Sequence, residues 1–479
     1  MTPRRPILTA LALATLAAGT LAALPVHAGT YVYSCVLNPR QEVPPVTSGA
    51  LGAGRFVIDT DANTITYRIT YGGLSSAETA AHIHGVAAQG APGGVLFGLP
   101  LGNPKVGVIT YSEAQEADIL AGRTYANIHT ANNGGGELRG QIVQFNALLD
   151  GKQEVPANAT TGSGWATATV DTATNTINYY VFHEGMTGAP VNAHFHGNGN
   201  YGSGSGVKVA IPFGASPMTG SVNYLEADEP ALFAGRWYVN LHTAANPGGE
   251  LRGQFVNTII PIDATQEVPA VASPTASGFA LIAIDTLSNV LGFDERVVQL
   301  GGTEAAAHIH GFAGPTGSAG VLFGQALGAQ KLGTWAYGGA VEDSLRAGRT
   351  YFNVHSSLAP GGEMRGQITG LPIAAPPAVL GVGPGGPRLT GGLAAAPNPF
   401  GARTTLSFQL ARTGSVSLSI VGVDGRAVRS VPATMYAPGS HTFEWDGLDD
   451  AGRAAAPGVY FAVIRTPEGE STTRIARLR

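Results

Sequence analysis

Nine of the twelve histidines of this chain stand in three copies of one constellation. His82 and His84 flank Ile83, His194 and His196 flank Phe195, and His308 and His310 flank Ile309. About 45 residues after each pair comes Tyr-x-Asn-x-His, which supplies His129, His242 and His355 together with Asn127, Asn240 and Asn353. Gly-Glu-(Leu/Met)-Arg-Gly-Gln follows, with Glu137 and Arg139, Glu250 and Arg252, and Glu363 and Arg365. Residues two apart in a strand point to one face. His82 and His84 therefore project together, as do Tyr125, Asn127 and His129. Glu137, Arg139 and Gln141 share a third row, with an irregularity expected at Gly140.

If the three rows neighbour one another, their polar sides form one cluster, and three chemistries are open to it. Three imidazoles are a common way to hold zinc or copper. The same His, Asn, Glu and Arg could instead hydrogen-bond to one another and fix strand register. A third use is a face for an extracellular protein or carbohydrate, with Tyr and Arg as anchors. No Ser or Cys nucleophile recurs beside the histidines and no close carboxylate pair recurs, so the expectation is a non-enzymatic protein without cofactor. The alternative is a zinc or copper protein with one three-His site per repeat, and beyond that a metal-dependent oxidoreductase. The second copy has Gly206-Val207-Lys208-Val209 where the others read Val-Leu-Phe-Gly, and it adds His183. Its ligand set could therefore differ.

The elements that must position these residues repeat with them, at intervals of 112 to 114 residues. Each copy opens with Gln-Glu-Val-Pro, at Gln41, Gln153 and Gln266. Period-2 alternation dominates, as in Arg55 to Asp59 followed after a turn by Thr64 to Ile69, which reads as a hairpin. One short helix per copy is expected, at Ser112 to Leu120, Leu225 to Phe233 and Val341 to Arg346, each ending at Ala-Gly-Arg. The period is too long for a solenoid, so the copies read as beads. The short apolar junctions at 145–149 and 256–261 hint at fixed neighbours. The fold class is all-β: three tandem antiparallel β-sandwich or barrel modules at 29–145, 146–257 and 258–370, and an Ig-like sandwich at 393–479. The Pro- and Gly-rich segment 371–392 reads as a linker.

Charged residues make up 12% of the chain, the net charge is −5, and no Lys/Arg run appears, which excludes nucleic acid as a partner. Residues 1–28 carry Arg4-Arg5, an apolar stretch and Val26-His27-Ala28, the pattern of a cleaved signal peptide. No later stretch approaches the length needed to span a bilayer. The expected location is extracellular or the outer cell surface. Cys35 is the only cysteine, so no intramolecular disulfide supports the export-bound chain. It reads as a buried, inert thiol.

The phrases Ala-His-Ile-His-Gly, Ala-Gly-Arg-Thr-Tyr-x-Asn-x-His and Gly-Gly-Glu-Leu-Arg-Gly-Gln resemble the CHRD (chordin-type) domain. That resemblance implies a β-rich extracellular module without established catalysis. The cysteine-rich modules linked to growth-factor binding in chordin are absent. The C-terminal segment resembles the Ig-like sandwich of the flagellar hook-capping protein and of type IX secretion sorting domains. Pro397-Asn398-Pro399-Phe400, Val423-Asp424-Gly425-Arg426, Trp445-Asp446-Gly447 and Gly458-Val459-Tyr460-Phe461 carry it. It implies export or sorting machinery as a partner, by way of a domain for sorting or attachment.

Overall fold

A computed structural model describes residues 29–369, except 173 and 272–274, and residues 393–478, except 411–413, 423–425, 438 and 467–468. The expected signal peptide, the linker and the Asp424-Gly425 turn lie outside the described residues. Two compact units divide the chain at Val382 and Gly383. Among the described residues no helix is long and apolar enough to cross a membrane.

The fold class is all-β. In the first module the strands are β1 (Thr30–Leu37), β2 (Leu51–Asp59), β3 (Thr64–Gly72), β4 (Glu78–Gly85), β5 (Gly94–Gly98), β6 (Lys105–Thr110), β7 (Thr124–Thr130) and β8 (Leu138–Ile142). They form two antiparallel sheets, β1-β2-β3-β6 and β5-β4-β7-β8. Bridges at Ser34–Val143 and Asn38–Arg139 stitch β1 to β8. In the second and third modules the same stitching makes one eight-stranded sheet of identical order. The expected hairpin is present, with Asp59 opposite Thr64 in β2–β3. Its turn rests on Asn63 in the left-handed region, a conformation that Asn tolerates. The helix α1 (Glu113–Leu120) starts at the Ser112 cap, and its counterparts are Glu229–Phe233, preceded by a turn of 3-10 helix, and Gly339–Arg346. Between the sheets Phe56, Ile58, Ile69, Ile83, Ala126, Ile128 and Leu138 are essentially fully buried. Each of the larger ones contributes about 1.5–3 kcal/mol. Cys35 lies in this core with no exposed surface.

The modules are not loose beads. The loop after the His-x-His strand of the first module reaches the second, where Gln89 accepts a bond from Thr167 at 3.3 Å. Arg40 pairs with Glu184 at the same junction. The second module meets the third through Tyr201, which packs with Phe279 and Leu281, and through Asp150, which binds Arg296 at 2.8 Å. The third returns to the first: Asp263 pairs with Arg68 at 2.6 Å, and the Gly278 carbonyl accepts from Thr70. The three modules thus close a ring, each using its own copy of one surface against the next. Val36 and Ala53, Tyr201 and Val256, and Ile259, Phe279 and Leu281 meet in one shared apolar cluster. The apolar junctions point to fixed neighbours, and Val256 and Ile259 do join that cluster; the ring itself was not legible, because the residues that close it lie outside the repeated phrases.

The C-terminal unit is a sandwich of a three-stranded sheet (Ala394–Ala396, Thr404–Leu410, Gly439–Trp445) and a four-stranded one (Ala427–Tyr436, Gly414–Gly422, Gly458–Thr466, Gly469–Arg477). Leu406, Ile420, Trp445, Ile464 and Ile475 fill it. Trp445 donates its indole N–H to the Leu448 carbonyl at 2.9 Å, which fixes the Trp-Asp-Gly corner.

Candidate metal centre

Register brings the repeated phrases together. Across β4 and β7, His82 faces Asn127, His84 faces Tyr125 and Ala80 faces His129. Across β7 and β8, Asn127 faces Arg139 and Tyr125 faces Gln141. Ile83, Ala126, Ile128 and Leu138 turn the other way, into the core. The pairing runs through Gly140 without the expected irregularity. Gly is needed there for another reason: a Cβ would sit 2.7 Å from the Val36 carbonyl oxygen.

The nine histidines converge as three groups: His82, His84 and His129; His194, His196 and His242; His308, His310 and His355. In each group one nitrogen per ring lies within 4.8 Å of the others. His82 Nδ1 is 3.2 Å from His129 Nε2, and the corresponding separations are 3.2 and 3.1 Å. The Nδ1 atoms of the second and third histidines are fixed by backbone. His84 Nδ1 is 2.9 Å from the Gly93 oxygen, and His196 and His310 are equally close to Ser205 and Ala319. His129, His242 and His355 bond through Nδ1 to the carbonyls of Gly134, Pro247 and Pro360. A carbonyl only accepts, so these Nδ1 atoms carry the protons and the Nε2 lone pairs face the group. The Nε2 atoms of His84, His196 and His310 are buried and, among the described residues, have no hydrogen-bond partner. Burial lowers the pKa of His84, with the backbone bond opposing it and His82, His129 and Arg139 adding to it. Burial followed by the neighbouring imidazole lowers that of His82. Both shifts favour the neutral, metal-binding form.

Around this group the Asn, Arg and Gln residues form a scaffold. Arg139 lies 3.6 Å above the Tyr125 ring, and that ring stacks on His84 at 4.9 Å. Arg139 also donates to the Ala91 carbonyl, and Gln141 donates to those of Ala87 and Gly122. Tyr125 Oη accepts from the Gly93 N–H. The loop whose carbonyl orients His84 is thus held at three points. Arg252 with Gln254 and Arg365 with Gln367 hold the equivalent loops.

Glu137, Glu250 and Glu363 do not join the cluster. Glu137 accepts from Ser48, Ser75, Thr130 and Asn133, and Glu250 from Thr160, Thr187 and Thr243. Glu363 accepts from the backbone of Gly301 and Gly302. Strand β8 begins one residue later, so period-2 alternation does not reach Glu137. Burial alone would raise the pKa of Glu137, but the hydroxyl and amide donors outweigh it and bring it to about 2. His183 stands apart as well, against the Gly214 carbonyl, so the second site keeps the three-His set of its neighbours.

The carboxylate that does reach the scaffold comes from the Gln-Glu-Val-Pro phrase. Glu42, Glu154 and Glu267 bond to Asn127, Asn240 and Asn353 at 2.6, 3.2 and 2.6 Å. Burial raises each to about 7, against the opposing Asn and Arg neighbours. Gln41 Oε1 accepts from the Gln141 N–H. The signal was the threefold recurrence of that Glu, which marks more than the start of a module.

A three-imidazole set without a carboxylate suits zinc or copper and leaves a position for water or another ligand. Without an ion, a proton on His82 Nδ1 can bridge to His129 Nε2.

The CHRD domain profile matches residues 33–142, 145–255 and 260–368, and the FlgD Ig-like domain profile matches 397–468. The search of curated proteins finds no match. Among solved structures, dimeric latent PorU from Porphyromonas gingivalis aligns at TM-score 0.17 and 11% identity, covering 72% of this chain and 36% of that one. The chain therefore spans about a third of PorU's length. PorZ of the same organism, a bacterial surface component of the type-IX secretion system, aligns at 0.16 and 10%, covering 89% and 69%. Alpha-2-macroglobulin from Escherichia coli aligns at 0.15 and 10%, covering 93% and 31%. Scores at this level do not establish a shared fold. The domain profiles, matched over more than half of the chain, do establish a family: this chain belongs to the CHRD-domain family, with three tandem copies followed by a FlgD Ig-like domain.

Proposed function

We propose that this is an exported, surface or extracellular protein whose three CHRD domains each bind one zinc or copper ion, and whose Ig-like domain serves sorting or attachment. One observation carries the metal reading: in all three domains the Nε2 of the second histidine is buried and, among the described residues, unpartnered, in a ring that brings one nitrogen within 4.8 Å of a nitrogen on each of two further imidazoles. A purely structural network would be expected to satisfy that atom. The surrounding Arg, Gln and Tyr residues resemble the outer shells that orient metal ligands. No Ser or Cys nucleophile and no close carboxylate pair recurs beside the histidines, so any turnover would have to run on the bound ion itself, and the role we propose is binding or display.

Support for export is the N-terminal pattern of residues 1–28, and support for sorting is the C-terminal domain family. Titrating the chelated full chain with zinc, monitored by calorimetry, tests the metal reading. Saturation at three ions per chain supports it, and no heat above that of a His84→Ala, His196→Ala, His310→Ala variant removes it. Recovery of the chain only in the cytoplasmic fraction of its native cells would remove the export reading.

A further inference from the structure

The three junctions of the ring are built from equivalent positions filled by different residues. Five residues after the second histidine stand Gln89, Tyr201 and Pro315. The strand position they approach on the next module is Thr167, Leu281 and Arg55 respectively, each four residues before the hairpin Asp. Gln89 bonds to Thr167. Tyr201 packs against Leu281 with 4% of its surface exposed. At the third junction Pro315 is too small to do the same, and a cavity of about 420 Å³ remains. That volume lies in the range of small-molecule sites. Arg55, Val57 and Arg68 line one wall, and Val268, Pro315 and Arg365 line the other.

The charges in this cavity do not balance. Arg68, opposite Arg55 in the β2–β3 register, is paired with Asp263. Arg365 has Glu267 beside it. Among the described residues Arg55 has no such neighbour: its Nε is buried without a partner. Burial lowers its pKa to about 10, and no charged neighbour contributes. The residue as a whole is half-buried; a guanidinium cannot shed its proton under ordinary conditions, so burying part of one without a counter-charge is costly. A single bound anion would relieve that cost and accept a fork of hydrogen bonds. The valine and proline walls suit an apolar body attached to the anionic head.

We propose that the junction between the third and first modules binds a small organic carboxylate, with Arg55 as its counter-ion and the apolar walls holding its body. Above the Glu267 pKa of about 7, where that carboxylate is ionised beside Arg365, one positive charge stays unmatched and calls for a monoanion, which favours a carboxylate over doubly charged phosphate; the probes are therefore compared at pH 8. The test uses the full chain, chelated, with benzoate, benzamide and inorganic phosphate as probes in calorimetry and ligand-observed NMR. Benzoate is expected to bind once per chain. Benzamide and phosphate should bind at least about tenfold more weakly. Arg55→Leu places at this junction the residue found at 281, so the variant should fold, and it should weaken benzoate at least about tenfold. Arg55→Gln is the second variant, with the same expectation. Absence of benzoate binding at millimolar concentration overturns the proposal. So does equal binding of benzamide or phosphate, or undiminished benzoate binding in an Arg55 variant whose thermal transition matches the wild type.

Discussion

Glu42 offers a test of the buried scaffold that needs no metal. Its carboxyl is 7% exposed, accepts from Asn127 at 2.6 Å, and burial raises its pKa from 4.5 to about 7. The folded state therefore keeps a proton across the interval from 4.5 to about 7 in which the unfolded chain has lost it. Unfolding free energy must fall as pH rises through that interval and level off above it. The shift corresponds to about 3 kcal/mol between pH 4 and pH 8 at order-of-magnitude level. Glu42→Gln keeps an oxygen for Asn127 and cannot ionise. Measured by urea denaturation in chelator, the variant should gain about 3 kcal/mol relative to wild type on going from pH 4 to pH 8. Glu154→Gln and Glu267→Gln should do the same, since those carboxyls are also raised to about 7. A difference between variant and wild type that is constant with pH would refute the claim that the fold holds these groups protonated.

Other consequences can be checked separately. Arg139→Met keeps the bulk above Tyr125 but releases the loop that carries the Gly93 carbonyl. In a chain whose other two sites carry His196→Ala and His310→Ala, zinc should bind roughly ten- to hundredfold more weakly by competition with a chelating dye; unchanged affinity would separate the arginine from the site. Gly249 has φ +131°, and a Cβ there would lie 2.6 Å from both Asn240 Oδ1 and Glu154 Oε1. Gly249→Ala should cost about 2 kcal/mol or more, whereas Gly248→Ala, with nothing within 4 Å of its added carbon, should be near neutral by the same denaturation assay. Cys35 is fully buried and its thiol pKa is raised by that burial, so a thiol reagent should label it only at the rate of unfolding; immediate labelling of the native chain would contradict this packing.

The histidine geometry was legible because period 2 places His82 with His84, and Asn127 with His129, whatever the rest of the chain does. That the two rows lie side by side was not, since strand order depends on packing between elements far apart in sequence. Glu137 was misplaced because alternation was extended into a turn. Glu42 was missed because it lies outside the three polar rows, and only the chain's return along β1 and the following turn brings it to Asn127. The ring was hidden for a related reason. Its contacts use Gln89 and Tyr201, at a position where the copies differ, together with Arg68 and Thr70, while the recurring phrases mostly point inward to each module's own site and core.

The central claim is that the second histidine of each group completes a metal site. The most direct measurement is metal content of the zinc-reloaded, dialysed chain as His84→Ala, His196→Ala and His310→Ala are introduced one after another. The account predicts three ions per chain falling to two, one and none, with each variant still folded by circular dichroism. Content that is near zero in the wild type, or that stays the same through the series, would contradict it and leave the histidines as a structural signature of the module.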